Sequence, residues 1–585
     1  MALAEPLTYL YINASEGNAS GGHTALRFGT ETFHFQHING GMIRLIKHAS
    51  ADFDHQYRYI ENRTLYTTSI DLSSPHYKQL RNYFNLHFLI QKQQDATLHE
   101  IKRNIALLKR QTQSPLLTLP AAGLFATQIV SRETIPPIHK ILHTKIRQKY
   151  GSDFIHKQIQ HIKTQLAADR PTPWPQNALH INENAFVGAP YSFAGRYLDN
   201  ISKLLFLQTL QTNKPLNNQF TFSPEQALFT LSATETRQLQ NLRQTLINGL
   251  LRLLSSSRPD WGRSAFVLYA RILSLTQSIQ SGKLVFLDSY ISNAQSIPYT
   301  EVARYRPLFY QQMQQALTRL RQHKQQLFAS PAALSEQTYS QLEMLANYYY
   351  ERERALNKQQ GLRTTGERRL PSKAITLPQH LLPQLSHQQT NIALKHFKAY
   401  QTHLQQQLQS LYQYDLITRN CVTEIFAGIR QADINIPALQ TLKQLPDKHP
   451  LAFIPFRAFD NLAKNYPQDI LPSFRRQQLT KMQQEENQLI VYLREFNTLS
   501  ASNYKFNTQD SFFLFFTDQN LWSRPILGSI NLLAATAMGI YGGLALPFDS
   551  GKTLKNSAMG ILMSLPELAF FNIRKGSYPY LPHPP

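Results

Sequence analysis

The sequence predicts an α+β fold, and three stretches carry that prediction. Between residues 7 and 72 the segments LTYLYINAS, HTALRFG, ETFHFQH and RTLYTTSIDL alternate in polarity. Gly, Asn and Ser bound them, which is the pattern of short paired strands. From about 75 to 410 the period changes. HKQIQHIKTQL, ETRQLQNLRQTLINGLLRLL and YQQMQQALTRLRQHKQQLF place apolar residues three and four apart, as amphipathic helices require. At 525–547 the 23-residue run PILGSINLLAATAMGIYGGLALP has no charged side chain and is long enough to cross a bilayer.

The first strands form a hairpin if Gly29-Thr30 is its two-residue turn, so that paired residues have numbers summing to 59. His23 then faces Gln36 and Ala25 faces His34. Cross-strand partners share a sheet face, so His23, His34 and Gln36 line one side, with His34 diagonal to His23. His34 and His37, three apart on a strand, point to opposite faces and do not chelate one metal together. The two glycines before His23 leave room for a substrate backbone.

The helical stretch divides the chain into a β-rich segment 1–90, a helical insertion 91–384, a segment 385–460 and a C-terminal region 461–585. RPTPWPQ (170–176) and KQQGLRTTGERRLPSK (358–373) read as linkers or exposed loops. The Gln-rich tracts keep an apolar stripe and read as solvated helix faces. The second apolar segment, NSAMGILMSLPELAFF, makes residues 525–573 a hydrophobic helical hairpin that touches or enters a membrane; a buried helix pair is the alternative. SGKT (550–553) lacks the glycine of a phosphate loop, since that position is Leu546.

The chemistry centres on one thiol. Cys421 is the only cysteine, so it forms no internal disulfide. Asn420 is a good N-cap, with Thr418 as a second candidate, and Val422, Ile425, Phe426 and Ile429 give one apolar helical face. Cys421 thus sits in a first helical turn, where free N–H groups and the helix dipole lower a thiol pKa. A small buried hydrophobe is the bland alternative. A thiol nucleophile needs a base, and His23 with an orienting His34 has the logic of a triad. There is no HExxH, CxxC or GxSxG spacing, and no cofactor or metal is expected. With Lys+Arg 60 against Asp+Glu 37 and a net charge of +23, the surface favours polyanions. No nucleic-acid signature accompanies the charge, so an anionic membrane or cell-wall polymer is expected. The ALA near the start has the form left at a signal-peptidase site, which suggests a trimmed chain.

GGHTALRFG–ETFHFQ, YRYIENRTLY and YQYDLITRNC resemble the Lnb N-terminal periplasmic domain family. That family belongs to the permuted papain-like (NlpC-type) cysteine enzymes. It is similar in logic to the lecithin:retinol acyltransferase group, where a strand His precedes an Asn-Cys helix start. The resemblance covers about residues 7–90 and 385–440, and the long segment 91–384 departs from it. It implies a small antiparallel sheet packed on a nucleophile helix, with Cys421 as nucleophile, His23 as base and His34 as the third polar residue. Gln36 is the alternative third member, and Asn420 and Tyr414 are supporting residues. It further implies acyl transfer or hydrolysis through a thioacyl-enzyme in the periplasm or cell envelope, at the inner membrane. Lipoprotein N-acylation is the implied reaction, with a membrane lipid or lipoprotein as substrate. A peptidoglycan amidase or endopeptidase is the same-fold rival. A non-catalytic membrane-associated scaffold is the reading from another class.

Overall fold

Alternating side chains force a strand to present two different faces, and the N-terminal segment uses both. In the computed structural model the described residues are 4–13, 22–38, 40–61, 63–126, 137–174, 191–224, 227–291, 294–304, 306–363, 370–432, 434, 437–473, 477 and 524–568. The chain is an α+β protein in two units, one from residues 1–95 and 405–585, the other from 96–180 and 188–404.

The first unit holds a six-stranded sheet. Its strands are β1 (Ala4–Ile12), β2 (His23–Phe28), β3 (Glu31–Ile38), β4 (Met42–Ala49), β5 (Leu65–Ser73) and β6 (Gln468–Leu471). The order is β6-β5-β1-β2-β3-β4, and every neighbouring pair is antiparallel. The β2–β3 pairs are Leu26 with Phe33, Arg27 with Thr32 and Phe28 with Glu31, which is the register the Gly29-Thr30 turn predicts. Gly29 has φ of +56°, the left-handed value that a first turn position of this kind needs. β4 and β6 are additions to the sequence reading. β6 closes one edge by pairing with β5.

One face of the sheet carries Leu7, Tyr9, Tyr11, Leu26, Phe28, Phe33 and Phe35. Helix Cys421–Gln431 packs there through Val422, Ile425, Phe426 and Ile429, joined by Leu80 and Phe84 of helix Ser74–Leu108 and by Phe456, Phe459 and Leu462 of helix Pro455–Ala463. The opposite face carries Leu10, Ile12, Ala25 and Leu65 under Phe53 and Tyr57. Those two aromatics come from the short helix Ser50–Asp54 and the wide turn His55–Ile60 that follow β4.

The second unit is helical. Its main helices include Phe193–Gln211, Ala233–Leu253, Trp261–Ser281, Arg306–Ala329 and Glu336–Asn357, around one apolar core. Ser232 and Ser335 cap two of them with reciprocal side-chain bonds. The linker reading of 358–373 needs correction. Lys373 is buried and pairs with Asp288 at 2.8 Å, and Arg363 reaches the same carboxylate at 2.9 Å. Residues 364–369 lie outside the described residues. In RPTPWPQ the Trp174 carbonyl accepts from Tyr400 at 2.9 Å, so this stretch is held at Trp174, and residues 175 and 176 lie outside the described residues.

Candidate active site

Cys421 opens its helix because the preceding loop is tied down. Asp415 accepts from the Ile417 and Thr418 backbone N–H groups at 3.0 and 2.6 Å, which forms a tight turn. Asn420 is the N-cap. Its Oδ1 accepts from Val422 and Thr423 N–H at 2.8 and 3.1 Å, and its Nδ2 donates to the Leu416 and Phe453 carbonyls. Thr423 bonds back to the Asn420 backbone at 2.7 Å. Asn420 therefore places the thiol, and all of its polar atoms are engaged in that task. Thr418 is not the cap.

Cys421 is half-buried and meets β2. The Thr24 hydroxyl donates to the Cys421 carbonyl at 3.3 Å. Burial pushes the thiol pKa up, while the Thr24 hydroxyl, the Thr24 backbone N–H and the N–H groups of Cys421 and Val422 pull the other way without prevailing. This corrects the expectation of a lowered thiol pKa. The helix start supplies donors, but desolvation outweighs them. Tyr9 was not foreseen as a site residue. It is fully buried, stacks on Phe426 at 6.0 Å and feels the Cys421 charge. Its hydroxyl lies beside Thr24 with no hydrogen bond of good geometry.

His23 and His34 meet. His23 Nε2 and His34 Nδ1 are 2.8 Å apart, with the rings edge to face at 5.0 Å. His34 is 1% exposed, and its Nε2 has no hydrogen-bond partner among the described residues. Phe53 and Tyr57 wall the pair, and His48 lies 5.2 Å from His34. Burial, helped by the Arg63 guanidinium, lowers the His23 pKa to about 3. The imidazolium expected beside the thiol is thus replaced by a neutral ring. As neighbours on β2, His23 and Thr24 point to opposite faces. The histidine pair accordingly lies on the Ala25–Tyr57 face, and Thr24 turns to Cys421. Tyr57 stacks on His23 at 6.2 Å, and burial raises its hydroxyl pKa, with smaller contributions from Glu61 and Cys421.

Two further expectations change. Gln36 is exposed and pairs with Arg44 of β4, because the β2–β3 ladder ends before it; it leaves the site. Gly22 serves packing, since a Cβ there would sit 2.4 Å from Tyr11 Cε2 and 2.7 Å from the Ile12 carbonyl. Its φ of +85° also suits glycine alone. Tyr414 is half-buried, packs on His37 at 5.0 Å and also feels the Cys421 charge. Gln36→Ala is therefore expected to leave stability and thiol reactivity unchanged within about 0.5 kcal/mol and twofold. His34→Ala removes a buried side chain and its 2.8 Å hydrogen bond to the His23 ring, so it should alter both. Equal responses of the two variants in urea unfolding and alkylation would contradict this placement.

The buried histidines also set an acid sensitivity. His23, His34, His48 and His139 all lie below their usual 6.5, each mainly through burial. Above about pH 6.5 these rings are neutral in both states. As pH falls toward 4 the unfolded chain binds protons that the folded chain refuses, so stability falls. The urea midpoint is expected to drop from pH 7.5 to pH 4.5, with a shallower slope in His34→Asn. A midpoint constant over that range would overturn the assignment.

No protein-family model matches this chain, and neither a curated protein nor a solved structure does.

Proposed function

We propose that the chain is a cysteine-dependent acyl-transfer enzyme, a transferase or a hydrolase, with Cys421 as nucleophile, His23 as general base and His34 orienting His23. The observation that carries this reading is the 2.8 Å His23–His34 bond, in a residue adjacent to the Thr24 that holds Cys421. A buried histidine pair with an unpartnered nitrogen is costly unless it has a use.

The resting pair is a neutral thiol and a neutral imidazole. In this reading His23 Nδ1, the nitrogen not engaged by His34, takes the thiol proton as sulfur attacks an ester or amide carbonyl; because the pair lies on the sheet face opposite to Cys421, the transfer requires a relaying water or a turn of His23 at the start of its strand. This requires the His23 Nε2 proton to point at His34 Nδ1, so the ring is held as a base and, once charged, remains hydrogen-bonded. The C–S bond forms and the carbonyl electrons move to oxygen, where the Cys421 N–H and the Tyr9 hydroxyl are the donors to hand. Collapse breaks the C–O or C–N bond, and His23 returns its proton to the leaving group. An amine or water then attacks the thioester, loses a proton to His23 and restores the thiol. The resemblance to the Lnb domain supports a lipid-linked acyl group in the cell envelope, with lipoprotein N-acylation as the reaction; peptidoglycan cleavage is the alternative substrate class. One fold carries many chemistries, so the acyl donor is a matter for assay.

A specific observation favours a second reading. The thiol pKa is raised and the histidines lie on the other sheet face, as suits a structural cysteine in a non-catalytic scaffold. Intact mass after incubation with phospholipid vesicles or bacterial membranes separates the two. The enzyme reading expects a hydroxylamine-labile adduct on the native chain that is absent from Cys421→Ser. Adducts of equal mass on both proteins would remove Cys421 from the reaction.

A further inference from the structure

The C-terminal helices are built inside out. Helix Arg524–Asp549 pairs with helix Lys552–Leu568. Their shared seam holds small and polar residues: Asn531, Ala535, Ser557 and Ser564 are each at most 1% exposed. Gly542 touches the second helix so closely that a Cβ would lie 2.6 Å from the Leu554 nitrogen. The outer surface is apolar. Leu533, Ile540, Leu544 and Phe548 are 71%, 69%, 75% and 90% exposed, and Leu562 and Leu565 continue the surface on the partner helix. Water-soluble helix pairs reverse this order, because water favours burial of the large apolar side chains. Leu533, Ile540, Leu544 and Phe548 share one stripe of the first helix, and Leu562 and Leu565 lie on the second, so whatever covers them has to reach both helices.

We infer that this hairpin inserts into a lipid bilayer as a self-sealed pair, with its turn at one interface and its two ends at the other. Three observations select lipid over a protein partner. Gly528–Asp549 has 22 residues, about 33 Å of helix, which matches a hydrocarbon core of about 30 Å. Lys552–Leu568 has 17 residues, about 26 Å, and its uncharged stretch 556–566 is about 17 Å, so this helix reaches across only with Lys552 and Lys555 snorkelling to the interface and the bilayer thinned around it. The charged residues fall at the extremities, with Arg524 and Glu567 at one and Asp549, Lys552 and Lys555 at the other. Four serine and threonine hydroxyls between are satisfied within their own helices, while the Tyr541 ring is 59% exposed. Ser529, Thr536, Ser557 and Ser564 each donate to the carbonyl one turn back at 2.7–2.8 Å, including the two that face outward. Lipid offers no substitute partner, so such internal bonding is what a spanning helix needs. Close small-residue packing is likewise how helices associate where there is no water to drive them together. The turn itself is compact, with Asp549 accepting from Gly551 and Thr553 N–H at 2.9 Å. Within SGKT, Ser550 and Gly551 thus form the interhelical turn, and Lys552 and Thr553 open the second helix. Residues 569–573 of the expected hairpin lie outside the described residues.

This inference stands apart from the cysteine chemistry and is tested without it. In the full chain carrying Cys421→Ser, single cysteines replace Leu533, Ile540, Leu544 or Ser550 and receive an environment-sensitive fluorophore. The proteins are mixed with vesicles of phosphatidylethanolamine and phosphatidylglycerol that contain doxyl lipids at two depths, then floated in 1 M salt. Insertion predicts flotation that survives salt. It also predicts strongest quenching of position 540 by the deep probe and of position 550 by the shallow probe. Replacing Leu533 and Ile540 together by arginine should abolish flotation while circular dichroism stays unchanged. Failure to float overturns the inference, as does flotation with equally shallow quenching at all four positions. A soluble dimer that shields the same four positions overturns it too.

Discussion

Cys421→Ser is expected to abolish acyl turnover, with a loss of at least about 10³-fold, while the urea midpoint moves by no more than about 1 kcal/mol. The two side chains differ by one atom, and the Asn420 cap that fixes the site does not involve the side chain at 421. A serine hydroxyl is a far weaker nucleophile than a thiol under a neutral base. His23→Ala should cost about 10²–10⁴-fold, the usual worth of a positioned base. The pH profile gives a sharper test. Since His23 titrates near 3 and the Cys421 thiol lies above its ordinary value, kcat/KM should show no step near 6.5. It should run level from about pH 5 to 8, unlike a preformed thiolate–imidazolium pair, which would show an acid limb in its working range. Cells that keep full function with Cys421→Ser would refute the enzyme reading and leave the scaffold.

Much of the hairpin was legible because its information is local. A two-residue turn and strict alternation fix the register, and register alone brings His34 diagonal to His23. The face on which helix Cys421–Gln431 docks was not legible. It depends on β1, whose LTYLYI offers Tyr9 and Tyr11 to one side and Leu10 and Ile12 to the other, both apolar. Nothing local decides between them, so Tyr9 went unnoticed although its alternation is plain. The thiol pKa failed for a related reason. A helix start is a local feature, whereas desolvation is a sum over tertiary neighbours, and here the sum is larger. Gln36 was misplaced because a ladder's length, unlike its register, is set by where the neighbouring strand β4 draws β3 away. MIRLIKHA (β4) has no clean alternation and so gave no strand signal. Gly22 was given to substrate when its constraint was the Tyr11 ring across the strand pair.

In the helical unit the largest stability effect is expected from Glu343→Ala, a loss of about 3–5 kcal/mol. Arg271 is fully buried on helix Trp261–Ser281, and its guanidinium meets Glu343, 1% exposed, at 3.0 Å. Glu336, the second partner at 3.2 Å, is half-exposed at 48% and compensates little. Glu343 also accepts from the Leu287 N–H at 3.3 Å. Removing the carboxylate therefore leaves a buried cation and a buried donor with weaker support, in a site that water does not reach. Pairing itself is not what stabilises most: bringing two charges out of water costs about as much as their attraction returns. The double variant Arg271→Met with Glu343→Leu should consequently recover most of the loss, because it removes both charges and keeps the volume. Urea unfolding followed by the fluorescence of Trp174 and Trp261, both in this unit, measures all three proteins. If Glu343→Ala cost less than about 1 kcal/mol, water would have to reach Arg271, and if the double variant were no better than the single, the loss would belong to packing and not to an abandoned charge.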